Sequence, residues 1–117
     1  ECERRTEKLE IIMHREKAYT NPDLKVADLA AMIGTSAHTL SYLFNQHLNR
    51  NYYDYVNDYR IAEFKHLIAE DEYSKYTLSA LAELCGFSSR ASFFRYFKKA
   101  TGITPSEYIR SIGKTNE

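Results

Sequence analysis

LKVADLAAMIGTS at residues 24–36 and YTLSALAELCGFSS at 76–89 are one pattern written twice. Both contain Leu-Ala-x-x-x-Gly: Leu29, Ala30 and Gly34 match Leu81, Ala82 and Gly86 at an offset of 52. Beyond the glycine the offset becomes 53, so that Phe44 answers Phe97, Asn49 answers Gly102, Tyr55 answers Tyr108 and Val56 answers Ile109. The chain therefore carries one unit twice, with one more residue in the second turn.

Each copy reads as a short helix, a glycine turn and a longer helix. Glycine takes positive φ without a steric penalty, which stops the first helix and lets the second leave at a steep angle. Ser36 in one copy and Ser88 or Ser89 in the other can cap the helix that follows, worth about 1 kcal/mol each. Two helices joined in this way form a helix-turn-helix. Between the copies, residues 52–70 (YYDYVNDYRIAEFKHLIAE) lack Pro and Gly and place apolar residues at 52, 55, 56 and 59, then 61, 64, 67 and 68. That spacing predicts one continuous helix, roughly 28 Å long at 1.5 Å per residue. Tyr52, Tyr53, Tyr55 and Tyr59 are read as core and rim.

The flanks follow the same logic. Residues 3–19 (ERRTEKLEIIMHREKAY) predict an amphipathic helix with Leu9, Ile12, Met13 and Tyr19 on its apolar side, ended by Asn21-Pro22-Asp23. Thr104-Pro105-Ser106-Glu107 is a capping box with Pro at the first helical position, announcing a short last helix. The expected fold is all-α, about seven helices, two helix-turn-helix subdomains joined by a long central helix. Its parts are a linker over 1–22, a first unit over 24–50, the joining helix over 52–70, a second unit over 76–112 and a frayed tail over 113–117.

Composition narrows the function. The 117 residues are 44% hydrophobic and 27% charged, as for a compact domain, with no apolar run near the ~20 residues of a membrane span. A soluble protein of a reducing, intracellular compartment is expected. Cys2 and Cys85 make neither a disulfide framework nor a metal spacing, and Cys85 is read as a small buried hydrophobe. His14, His38, His47 and His66 show no ligand pairing, and phosphate loops and nucleophile elbows are absent, so neither an enzyme nor a cofactor is expected.

Net charge is zero, yet its distribution is polarised. Residues 36–49 hold no Lys, Arg, Asp or Glu, whereas 86–114 hold Arg90, Arg95, Lys98, Lys99, Arg110 and Lys114 against Glu107 alone. At 100° per residue, helix 89–100 places Phe93, Tyr96, Phe97 and Ala100 on one side, and Ala91, Ser92, Arg95, Lys98 and Lys99 on the other, with Arg90 in the first turn. Arginine can give bidentate hydrogen bonds to guanine, and lysines can neutralise phosphates. Helix 36–47 buries Leu40, Leu43 and Phe44 and presents His38, Ser41, Tyr42, Asn45 and Gln46, uncharged groups that can all hydrogen-bond to base edges. A helical module that binds partner helices is the competing reading, favoured by the zero net charge.

The pattern Leu29-Ala30, Gly34, Leu40, Phe44, Tyr55, Arg60, followed by Leu81-Ala82, Gly86-Phe87-Ser88, Phe93, Arg95, Phe97-Lys98-Lys99, Gly102-Ile103-Thr104-Pro105 and Tyr108, resembles the DNA-binding domain of the AraC/XylS family of bacterial transcription regulators. The resemblance covers residues 24–112. It implies that helices 36–47 and 89–100 are recognition helices on successive major grooves of double-stranded DNA. It assigns base contacts to His38, Ser41 and Tyr42 in the first and to Arg90, Ala91 and Arg95 in the second. Backbone contacts fall to Lys98 and Lys99, and to Asn45 and Gln46, which stand where the family often has lysines. Tyr42 also replaces a frequent basic residue, so most of the electrostatic grip is expected from the second unit. Asn49 stands for the usual glycine and tolerates the same left-handed turn. The resemblance further implies RNA polymerase, or a sensor or effector domain outside this chain, as partners, and no small-molecule ligand within it. It also implies a cytoplasmic location, with membrane anchoring of the whole protein through an absent sensor as the variant.

Overall fold

The computed structural model describes residues 2–70 and 74–113. Among these, seven α-helices run in the order α1 (Cys2–Ile11), α2 (Val26–Met32), α3 (Ala37–Gln46), α4 (Tyr52–Ile68), α5 (Leu78–Cys85), α6 (Arg90–Thr101) and α7 (Pro105–Ser111), without a strand. The expected all-α pair of helix-turn-helix units on a central helix is the fold observed. Apart from Gly113, the expected tail at 113–117 lies outside the described residues.

The repeat is visible at the level of single hydrogen bonds. Gly34 (φ 77°) follows α2 and Gly86 (φ 105°) follows α5, and the next residue in each copy closes the helix end, Thr35 N–H on Ala30 O (2.9 Å) and Phe87 N–H on Ala82 O (3.0 Å). Ser36 then caps α3 by accepting from Thr39 N–H, and Ser89 caps α6 by accepting from Ser92 N–H, each at 3.1 Å. Past α3 stands Asn49 (φ 52°), and α6 ends on Gly102 (φ 86°), so asparagine does adopt the left-handed conformation that glycine supplies in the second copy. Even the exits correspond. Asn51 caps α4 through Asp54 N–H (2.8 Å), and Thr104 caps α7 in the expected reciprocal box with Glu107 (2.8 and 3.1 Å).

Two cores form, and α4 belongs to both. Val56, with Tyr52, Tyr55 and Tyr59 beside it, faces a core made of Leu9, Ile12, Met13, Leu29, Leu40 and Phe44. Ile61, Phe64, Leu67 and Ile68 face a second core with Leu81, Cys85, Phe87, Phe93, Phe97 and Ile109. At the crossover sit the two buried polar side chains of the described residues, Asn57 and Arg60.

The single helix expected over 3–19 is interrupted. Leu9, Ile12 and Met13 are buried as expected, but the positions that would extend that face are Glu16, Lys17 and Thr20, and the α-helical register ends at Ile11. A wider π turn (Ile12–Glu16), left-handed Lys17 (φ 49°) and a single 3-10 turn (Ala18–Thr20) redirect the chain. This detour buries Tyr19 and lays the Tyr19 carbonyl against Arg60. Arg60 Nε donates to Tyr19 O (2.7 Å), Nη2 to Asn21 O (2.9 Å) and Nη1 to Asn57 Oδ1 (2.8 Å). Its charge is thus dispersed over neutral acceptors, and burial pulls its pKa below the ordinary arginine value. Gly86 closes the same junction: a Cβ there would lie 2.1 Å from Tyr19 O, 2.8 Å from Thr20 Cα and 2.9 Å from Arg60 Nε. No described helix is long and apolar enough to cross a membrane.

Candidate nucleic-acid interface

In each unit the second helix is held by its apolar side and leaves the other uncovered. On α3, Leu40, Leu43 and Phe44 are buried, His38, Tyr42, Asn45 and Gln46 are exposed, and Ser41 is half-buried. Tyr42 is 57% exposed, with its ring edge-on to His47 at 6.0 Å. The uncovered face of α3 carries five side chains that hydrogen-bond and none with a fixed charge.

The α6 face differs in kind. Phe93, Tyr96 and Phe97 are buried, while Arg90, Ala91, Arg95, Lys98 and Lys99 are exposed. The Arg90 guanidinium carbon stands 4.7 Å from the centre of the Phe94 ring. Stacking steadies the long side chain and leaves its in-plane N–H donors available, as bidentate recognition requires. Arg95 is exposed and unpaired among the described residues. Ala91 lies between them in sequence as a small apolar surface, the type that meets a thymine methyl.

Two expectations for α6 need correction. Ala100, expected on the apolar side, is exposed: it stands one turn past the last buried Phe97 and lines an open cleft with Arg50, Asp54 and Asp58. Lys99 is not turned freely outward. Its Nζ is 3.6 Å from Asp54 Oδ1 and 5.7 Å from the Tyr96 ring centre, so its charge is shared with α4. Lys98 remains exposed on the outer face.

That cleft belongs to a cluster that sequence reasoning missed. Arg50 pairs with Asp58, and Tyr96 Oη donates to Asp58 Oδ1 (2.8 Å), 3.2 Å from Asp54 O. Burial, then the bond to Asp58, pushes the Tyr96 hydroxyl above its ordinary pKa, keeping it a donor. The available signal was the pair Asp54 and Asp58, four apart on a helix otherwise read for its tyrosines. In the sequence Arg60 stands only as part of a pattern, because nothing local announces a buried guanidinium.

The two uncovered faces are carried on a body 45 Å long and 26 by 22 Å across, with the 17-residue α4 as its strut. At 1.5 Å per residue this strut spans roughly 26 Å. Successive segments of one major groove recur about every 34 Å, a distance within the reach of such a body.

The sequence matches the family described as "Helix-turn-helix domain" over residues 29–111. An uncharacterised HTH-type transcriptional regulator of Staphylococcus aureus is 35% identical over 86 residues, which is 74% of this chain and 11% of that protein. Among solved structures, a Chromobacterium violaceum transcriptional regulator with an AraC-type DNA-binding domain superimposes with a TM-score of 0.76 at 22% identity, covering 93% of this chain and 92% of that one. The C-terminal domain of the two-component response regulator yesN of Fusobacterium nucleatum gives 0.68 at 26% identity, covering 88% and 95%. The chain spans 11%, 42% and 37% of the length of three curated relatives that it matches.

Proposed function

We propose, for a chain that belongs to the AraC-type helix-turn-helix domain family, sequence-specific binding of double-stranded DNA in the regulation of transcription. One observation carries this reading: two tandem copies of the unit each anchor a second helix by its apolar side and leave a face of hydrogen-bonding side chains uncovered. α3 and α6 enter successive segments of the major groove. Arg90 and Arg95 read guanine edges, Ala91 offers an apolar contact, and His38, Ser41 and Tyr42 read the other half-site. Lys98 holds phosphates by charge, Lys99 does so after release from Asp54, and Asn45 and Gln46 contribute neutral hydrogen bonds to the backbone.

In this reading the fragment has no catalytic step. Its partners beyond DNA are a sensor or effector domain elsewhere in the protein and RNA polymerase, and it works in the cytoplasm. Fluorescence anisotropy with duplexes selected from a random pool tests the core claim. Lys98 and Lys99, the cations placed on phosphates, give a slope of log affinity against log salt of about −1.8, and steeper if Arg90 and Arg95 also displace counterions. No binding to any duplex at low salt, together with tight binding to a protein partner, would favour the helix-binding module instead.

A further inference from the structure

Each unit is fixed to its own half of α4 by an apolar core, which leaves the middle of that helix as the place where the two units can bend relative to one another. Long helices curve gently rather than staying straight, so two bodies docked on opposite halves of one can tilt slightly about its middle. On one side the midpoint is supported by the bonds of Arg60 to Tyr19, Asn21 and Asn57. The other support is polar and crosses from one unit to the other. Arg50, in the loop that closes the first unit, pairs with Asp58 on α4, and Asp58 Oδ1 accepts the Tyr96 hydroxyl of α6 at 2.8 Å. One turn earlier on α4, Asp54 Oδ1 lies 3.6 Å from Lys99 of α6. Asp58 is the hub, with one carboxylate oxygen toward the first unit and the other toward the second recognition helix.

Resting on the DNA-binding reading above, we infer that Asp58 is a positioning residue that sets which separation of two half-sites the protein accepts. One added base pair turns the second half-site by about 35° and moves it by about 3.4 Å. A body free to bend at α4 follows such a change; a body braced by Asp58 does not. For two tethered contacts, affinity depends on how well the tether matches the span, so the brace is read in the ratio of affinities between correctly and incorrectly spaced duplexes. Lys99 stands over the Tyr96 ring at 5.7 Å, not over its hydroxyl, so a change that removes the hydroxyl and keeps the ring breaks the bond to Asp58 and leaves each single contact intact.

The experiment uses the 117-residue chain and a duplex recovered by selection from a random pool, remade with one base pair added or removed between half-sites, and a duplex holding the second half-site alone. The native chain should prefer the selected spacing by about tenfold or more. Tyr96→Phe, which keeps the buried ring, and Asp58→Ala should bring that preference to about threefold, with half-site affinity within about twofold. The double variant should lose no more than Asp58→Ala alone, as expected when the Tyr96 hydroxyl acts only through Asp58. An unchanged preference in Tyr96→Phe, or a parallel fall of half-site affinity, overturns the inference while the DNA-binding reading stands. Absence of binding to every duplex by the native chain overturns both.

Discussion

Gly34 and Gly86 occupy matching places in the two units, both with positive φ, and only their surroundings differ. Alanine at either position must hold a left-handed backbone, which costs an L-residue about 1–2 kcal/mol. At Gly34 nothing lies within 4 Å of the added Cβ, so this backbone term is the whole effect. At Gly86 the Cβ would meet Tyr19 O at 2.1 Å, and real contacts of this kind stay above 3 Å. The Tyr19–Thr20 backbone has to retreat, and the 2.7 Å bond from Arg60 Nε to Tyr19 O goes with it. A hydrogen bond to a charged group is worth about 1.5–3 kcal/mol, and more is lost if the guanidinium is left buried and unsatisfied. Gly34→Ala is therefore expected to cost about 1–2 kcal/mol and Gly86→Ala about 3–5 kcal/mol, the latter a large part of the 5–15 kcal/mol typical of a domain. Urea unfolding followed by circular dichroism, with both variants at equal m-value, measures the difference. Equal losses at the two glycines would refute the claim that the redirected N-terminal segment is locked beneath the second turn.

Arg95→Ala should cost about 1–3 kcal/mol on the selected duplex and relax preference at one base pair, whereas Lys98→Ala should weaken selected and random duplexes alike; equal losses on both DNAs for both variants would contradict the assigned roles. Burial, reinforced by Glu63, pushes the Cys85 thiol up to about 12, and burial pushes the Tyr52 hydroxyl up to about 12. Both groups hold their protons more tightly folded than unfolded, so their contribution to stability is complete below about pH 9 and is lost as the pH rises toward 12. Urea midpoints that fell from pH 7 to 8 but not from 9 to 11 would contradict this sign. Since the thiolate is the reactive form, Cys85 in a Cys2→Ser background should resist iodoacetamide at pH 8 until urea unfolds the chain.

The fold was legible because each turn advertises itself locally. Glycine and serine at matched offsets set the ends of four helices, and apolar spacing on α4 told which half belonged to which core. Most of the exposed face of α3, His38, Tyr42, Asn45 and Gln46, is legible, because burial of Leu40, Leu43 and Phe44 fixes by periodicity what remains outside; Ser41 is half-buried at its edge. Periodicity failed where tertiary contacts decide. Lys17 takes a left-handed conformation that no local signal demands, since its purpose lies in placing Tyr19 against Arg60, 41 residues away. Lys99 and Ala100 went astray for a related reason: a helical wheel says which way a residue points, not that two aspartates of another helix stand opposite it.

Joint ownership of α4 bears on how this domain can be divided. A cut or an exchange within Tyr52–Ile68 but away from its midpoint strands Val56, or Phe64 and Leu67, without the partner layer that hides it from water, and one at the midpoint parts Arg60 from Tyr19, Asn21 and Asn57. The two halves are duplicates in pattern but not independent parts, and neither can melt without loosening the element on which the other is built. Amides near Asn57 and Arg60, buried between the two cores and held by the bonds of Arg60, are thus expected to be among the last to exchange with solvent.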